Sequence, residues 1–208
     1  VASNAAIITS STGRVSIERS GELWAVAAGM SMNVGQVMVT GTDGFAEMNL
    51  PDGSHLEIFP NSRFAYRANQ FSLRDAIDLF LGRIKFHIQK VTKDDPSIRV
   101  NSPTAVISVR GTVFDVEVDP SQTTRVSVDE GAVAVRHRLM PGSEVLLHPG
   151  ESIEVMEGVP LADLCPLRPL DTDGWSRLGL HVSAQRRGQL RTSLFRPGIR
   201  RAGLARID

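Results

Sequence analysis

The sequence predicts an all-β protein: an antiparallel β-body over residues 5–159, followed by a basic, poorly structured tail over residues 160–208. Three observations carry this reading. From Ala5 to Val159, short runs of Val, Ile, Leu, Phe and Thr alternate with polar residues at a period of two, the spacing of a strand with one buried face. Gly, Pro, Asn and Asp punctuate these runs at short intervals. After Val159 the pattern stops, giving way to Pro160, Pro166 and Pro169 and then to an arginine-rich end. A length of 208 residues suits one packed core plus a tail better than two full domains.

Taken in order, the first strands are expected in residues 13–18, 36–40, 45–50 and 55–59, each with alternating apolar and polar positions. Between the last two, Pro51-Asp52-Gly53-Ser54 combines a preset φ at Pro51 with tolerance of positive φ at Gly53, so residues 45–50 and 55–59 form a hairpin. Residues 71–81 fit helical spacing about as well as alternation. They are assigned to a strand because Leu79 to Phe86 resembles Val126 to Val135, each an apolar run, a glycine break and a second alternating run. That similarity predicts two hairpins of similar shape. Between Thr104 and Val118, Ile107 and Val109 lie at odd positions while Phe114, Val116 and Val118 lie at even ones, so a single straight strand would send one set to solvent. A bulge or bend is required, and Gly111 is its natural site.

Composition excludes several function classes. With 23 basic and 23 acidic residues the formal net charge is zero, which gives no whole-molecule case for nucleic acid or membrane binding. The distribution is uneven: residues 174–208 hold eight arginines and one acid, a local balance of +7 against −7 for residues 1–173. Within that tail, Arg186, Arg187, Arg200 and Arg201 are the candidate contacts to an acidic partner. Trp175 and Phe195 stand twenty residues apart and make no stacking platform, which argues against nucleic acid. No apolar run reaches the length of a membrane span, and the chain opens at Val1 rather than Met, leaving room for a signal peptide or anchor removed upstream. The single Cys165 permits no intrachain disulfide and no cysteine-rich metal site.

Catalytic patterns are equally sparse. There is no Gly-x-Ser-x-Gly elbow, no phosphate-binding glycine motif and no twelve-residue calcium loop. The five histidines form no His-x-His pair. His55 and Glu57 share one strand face at a spacing of two and are the best metal-binding alternative, with His87 or His148 as a further ligand; a solvated polar face explains them more simply. No catalytic residue, cofactor or metal ligand set is therefore expected.

One ordered set of motifs is more specific. Thr40-Gly41-Thr42-Asp43-Gly44 with Pro51-Asp52-Gly53-Ser54, then Pro60-Asn61-Ser62, Leu81-Gly82-Arg83, Val100-Asn101-Ser102-Pro103-Thr104-Ala105, Val109-Arg110-Gly111-Thr112 and Glu130-Gly131-Ala132-Val133 together resemble a FecR domain over residues 29–135. The resemblance implies an antiparallel β-sandwich of jelly-roll character and a periplasmic or secreted bacterial location. It also implies a non-catalytic role, sensing or relaying a signal, or scaffolding, through an envelope protein or cell-wall polymer. In the best-known members the domain follows a membrane-spanning helix and relays a signal from an outer-membrane transporter to a sigma factor. This chain is more similar to the stand-alone versions. Arg110, Gly111 and Thr112 match the best-marked family motif and are expected to shape a corner of the fold. Self-association through exposed edge strands is a further expectation. The competing function is a metal-dependent jelly-roll enzyme built on His55 and Glu57.

Overall fold

The computed structural model describes residues 5–19, 21–67, 75–89, 98–140, 142 and 144–161. They lie within a compact unit running from Val1 to Pro169. The second unit, Leu170–Asp208, is outside the described residues, as are Cys165, His181 and the four candidate contact arginines.

Every regular element among the described residues is a strand. The strands are best understood as rungs, each bent once so that its two halves enter different sheets. The rungs are β1 (Ala6–Thr12) with β2 (Val15–Arg19), β5 (Val37–Thr40) with β6 (Phe45–Asn49), β7 (His55–Ile58) with β8 (Arg63–Tyr66), the long β9 (Asp75–His87), β11 (Ala105–Val109) with β12 (Val113–Val118), β13 (Thr124–Glu130) with β14 (Val133–His137), and β15 (Val145–Leu147) with β16 (Ser152–Val155). Three short strands flank them: β3 (Glu22–Ala25), β4 (Ser31–Met32) and β10 (Ile98–Asn101).

Sheet I runs β4-β1-β6-β7-β9-β12-β13-β16 and sheet II runs β3-β2-β5-β8-β9-β10-β11-β14-β15. Apart from β10, which is inserted in sheet II, the order of the rungs is the same in both. Neighbouring strands are antiparallel except at β9–β10, where Val100 and Ile77 are parallel partners. The all-β, largely antiparallel expectation holds. The order is a bent meander, and jelly-roll character is no part of its description.

Alternation explains the packing. In β7, Leu56 and Ile58 are buried while His55 and Glu57 face outward; in β12, Phe114, Val116 and Val118 are buried. Inward residues of both sheets form one apolar cluster that includes Ile8, Ile17, Phe64, Ile84, Phe86, Phe114 and Val135, and the rings of Phe86 and Phe114 stack at 4.8 Å. Leu161 also belongs to this cluster, two residues beyond the expected end of the body.

The parity change between Val109 and Phe114 is resolved by Gly111 (φ +60°), where the chain leaves sheet II for sheet I. The two similar segments, in contrast, are not hairpins. Leu79–Phe86 is one strand that crosses sheets at Gly82, and Val126–Val135 crosses at Gly131, with β13 and β14 pairing to different neighbours. Their likeness is that of two corners. A hairpin needs a turn that returns the chain on itself, whereas a single glycine only redirects it. The hairpin expected at residues 51–54 is present: Leu50 donates to the Ser54 carbonyl, and the Asp52 carboxylate accepts from the Ser54 N–H.

Candidate functional site

The motif residues converge on the corners. At the first, the turn Pro60-Asn61-Ser62 between β7 and β8 lies against Leu81-Gly82-Arg83 of β9. Ser62 N–H donates to Thr40 Oγ1 at 2.8 Å, Thr40 Oγ1 donates to the Phe59 carbonyl at 2.8 Å, and Asn61 N–H donates to the Gly41 carbonyl. Ser62 Oγ both donates to the Arg83 carbonyl and accepts from the Arg83 N–H, at 3.1 and 3.0 Å. Gly82 has φ +90°, and a Cβ there would stand 2.4 Å from Ser62 Cα and 2.7 Å from the Asn61 carbonyl oxygen. The close approach of two backbones dictates glycine. Thr40 and Ser62 are buried hydroxyls and both are bonded, as burial demands.

A second polar lock joins the turn between β10 and β11 to β13 and β16. Thr124 Oγ1 lies 2.7 Å from both Ser102 Oγ and Thr104 Oγ1, and Thr104 Oγ1 donates to the Val155 carbonyl at 3.0 Å. Ser102 Oγ also accepts from the Ala105 N–H at 2.9 Å. All three hydroxyl side chains are buried.

The Arg110-Gly111-Thr112 motif sits at the third corner. Ile88 N–H donates to the Thr112 carbonyl, and Gly131 (φ +85°) approaches Gly111 and Thr112 so closely that a Cβ would meet Thr112 Cγ2 at 2.7 Å. Arg110 is exposed and Thr112 is buried, with no hydrogen-bond partner for its Oγ1 among the described residues.

What the corners leave for solvent is the outer face of sheet I. Cross-strand register places Glu57, Lys85, Asp115 and Ser127 in one row and His55 opposite His87 in the next. Charges alternate across it: Arg83 to Asp115 at 2.8 Å, Lys85 to Asp129 at 2.8 Å, and Arg125 to Glu154 and Glu117. The Asp115 carboxylate bonded to Arg83 pushes that guanidinium still further up, Asp129 does the same for the Lys85 ammonium, and Glu154 for Arg125. Arg83 also stands 4.6 Å over the Phe59 ring.

Of the sequence-selected metal residues, His55 and Glu57 do share this face, and His87 joins them from β9. His87 Nε2 bonds Glu57 Oε1 at 2.7 Å, while His55 Nδ1 bonds Asn49 Oδ1 at 2.8 Å. His148 lies elsewhere, before β16. Among the described residues no group of three or more His, Cys, Asp or Glu side chains is arranged to hold a metal. The contact of His55 with His87, 32 positions apart, was beyond spacing rules because register in a bent meander creates it. Missed as well was the lone edge β3, whose four residues are all exposed.

On β3, Trp24 pairs with Ile17, which pairs with Met38, then Phe64 and Leu79. Those four are buried, yet Trp24 is 53% exposed and its neighbour Leu23 64%. Trp24 therefore ends an inward-facing apolar row that no strand among the described residues closes. No helix among the described residues is long and apolar enough to cross a membrane.

Comparison with known proteins agrees with the geometry. The family described as "FecR protein" matches residues 36–134, a span that contains the bends at Gly82, Gly111 and Gly131. Two crystal structures of a candidate anti-sigma factor from Parabacteroides distasonis ATCC 8503 share the fold. One, at 1.65 Å, has a TM-score of 0.53 at 21% identity, over 64% of this chain and 59% of that one. The other, at 2.50 Å, has a TM-score of 0.51 at 21% identity, over 66% and 62%. This chain thus spans about three-fifths of their length. No curated protein matches the sequence significantly. Residues 36–134, with Gly82, Gly111 and Gly131 at their bends, carry the match to the FecR protein family.

Proposed function

We propose that the chain is a non-catalytic, extracytoplasmic module that senses or relays a signal by binding another protein of the bacterial envelope. The observation that carries this is the FecR match over residues 36–134, a family of signalling character. The fold shared with a candidate anti-sigma factor supports a regulatory protein partner. The motif residues Arg110, Gly111 and Thr112 serve the corner rather than a ligand. Glu57 is engaged with His87 rather than held open for a substrate, which gives no support to the enzyme alternative.

The contact surface in this reading is the β3 edge of sheet II. Among the described residues its backbone is paired on one side only, and Leu23 with Trp24 offers apolar side chains beside that edge. The tail arginines Arg186, Arg187, Arg200 and Arg201 add charge attraction to an acidic partner. A periplasmic or secreted location, cell-wall polymer as a second ligand class and self-pairing through the same edge belong to this proposal. The test is capture from bacterial envelope extract by the full chain and by a Leu23→Lys, Trp24→Lys form. A reproducible protein partner lost in the variant supports the reading, and a partner retained at full strength removes β3 from it.

A further inference from the structure

His55 and His87 share more than a register position. They are direct cross-strand partners on the outer face of sheet I, with ring centres 5.8 Å apart and planes tilted by 51°. Each ring is held by an acceptor. The Glu57 carboxylate accepts a hydrogen bond from His87 Nε2–H, and the Asn49 amide oxygen accepts one from His55 Nδ1–H. A neutral imidazole that donates through one nitrogen carries a lone pair on the other. In the neutral rings the two bonds therefore select complementary tautomers: His87 presents Nδ1, and His55 presents Nε2, as acceptors. Neither nitrogen has a bonding partner among the described residues.

From these contacts we infer that His55 and His87 form a two-imidazole site for a borderline divalent transition metal, Cu2+, Ni2+ or Zn2+, completed by water. Metal-binding histidines characteristically donate their second N–H to a carboxylate or carbonyl, which orients the ring and raises its basicity. Both rings here already have that support. The spacing also fits. With metal–nitrogen bonds of about 2.0–2.1 Å, a ring centre lies about 3.2 Å from the metal, so two ligating rings stand about 5.2 Å apart at a tetrahedral angle and at most about 6.4 Å apart. The observed 5.8 Å lies inside that window. The surroundings favour a cation, since Glu47 is the cross-strand partner of Glu57 and the neighbouring Lys85 is engaged with Asp129. Imidazole donors select Cu, Ni and Zn over Mg and Ca. Two protein ligands without a third make a capture or sensing site rather than a closed structural one. This inference does not depend on the binding partner proposed above.

The experiment is calorimetric titration of the full chain with Cu2+, Ni2+ and Zn2+ salts at neutral pH, followed by NMR broadening with Cu2+. One equivalent should bind, with broadening centred on β7 and β9. Affinity should fall by about tenfold or more in His55→Ala and in His87→Ala, and stay unchanged in His148→Ala and His181→Ala. Asn49→Ala and Glu57→Gln, which leave both ligands in place, should weaken binding less. Circular dichroism melting of each variant separates lost binding from lost fold. Binding that survives the His55→Ala, His87→Ala double variant, or no binding by the wild type, overturns the inference.

Discussion

Replacing Gly82 with alanine tests the bent-rung architecture at its tightest point. Two costs combine there. A non-glycine residue at φ +90° is strained by about 1–2 kcal/mol. The new Cβ would also overlap Ser62 Cα at 2.4 Å and the Asn61 carbonyl at 2.7 Å. Both are backbone atoms, so the turn itself must move, straining the Thr40–Ser62–Arg83 hydrogen bonds and adding about 1–3 kcal/mol. The total is about 2–5 kcal/mol, which lowers Tm by roughly 4–20 °C for a domain of this size. Gly35→Ala is the matched control: φ is +88° and no atom lies within 4 Å of the new Cβ, so only the backbone term of about 1–2 kcal/mol remains. Thermal melts of the two variants, with urea titrations for ΔG, measure the difference. Equal losses would refute the close approach of the β7–β8 turn to β9.

Three further outcomes follow from buried polar groups. Tyr66 is the sole tyrosine and is fully buried, and burial, with a lesser contribution from Asp52, pushes its phenol up to about 12. The folded state keeps this proton between about pH 10 and 12 while the unfolded chain loses it. Stability is therefore whole below pH 10 and falls by about 2–3 kcal/mol as pH rises to 12; ultraviolet titration reads this one phenol directly, and a midpoint near 10 contradicts its burial. Thr104→Val removes a hydroxyl shared with Thr124 and the Val155 carbonyl and should cost about 1–3 kcal/mol by urea titration. Thr112→Val, at a buried hydroxyl with no partner among the described residues, should be neutral or stabilising by up to about 1 kcal/mol; a marked loss would mean that this motif hydroxyl has a partner.

Much of the body was legible because alternation reports burial directly. The hairpin at residues 51–54 and the bend at Gly111 each rested on a local rule that the fold obeys. Of the strand read over residues 71–81, residues 71–74 lie outside the described residues and 75–81 are strand, although the likeness that suggested it is one of corners. The misread hairpins at Gly82 and Gly131 show the limit. A glycine between two alternating runs marks a change of direction, but whether the chain turns back or passes to another sheet depends on which strands lie beside it. The same limit hid the site features. His55 and Glu57 were found by spacing within one strand, whereas His87 and Asn49 reach them only through the register of β9 and β6 with β7. The exposure of Trp24 was hidden too, since it is the cross-strand partner of the core residue Ile17 and among the described residues no strand lies beyond β3.

The measurement that bears most directly on a binding role for the β-body is capture from envelope extract by the full chain and by a form ending at Pro169, the limit of the compact unit that contains Leu161. The same protein partner captured by both, more weakly and with less salt sensitivity without the arginines, is the predicted result. A partner captured by the full chain alone would contradict it, moving the function to residues 170–208 and leaving the FecR-type body as their carrier.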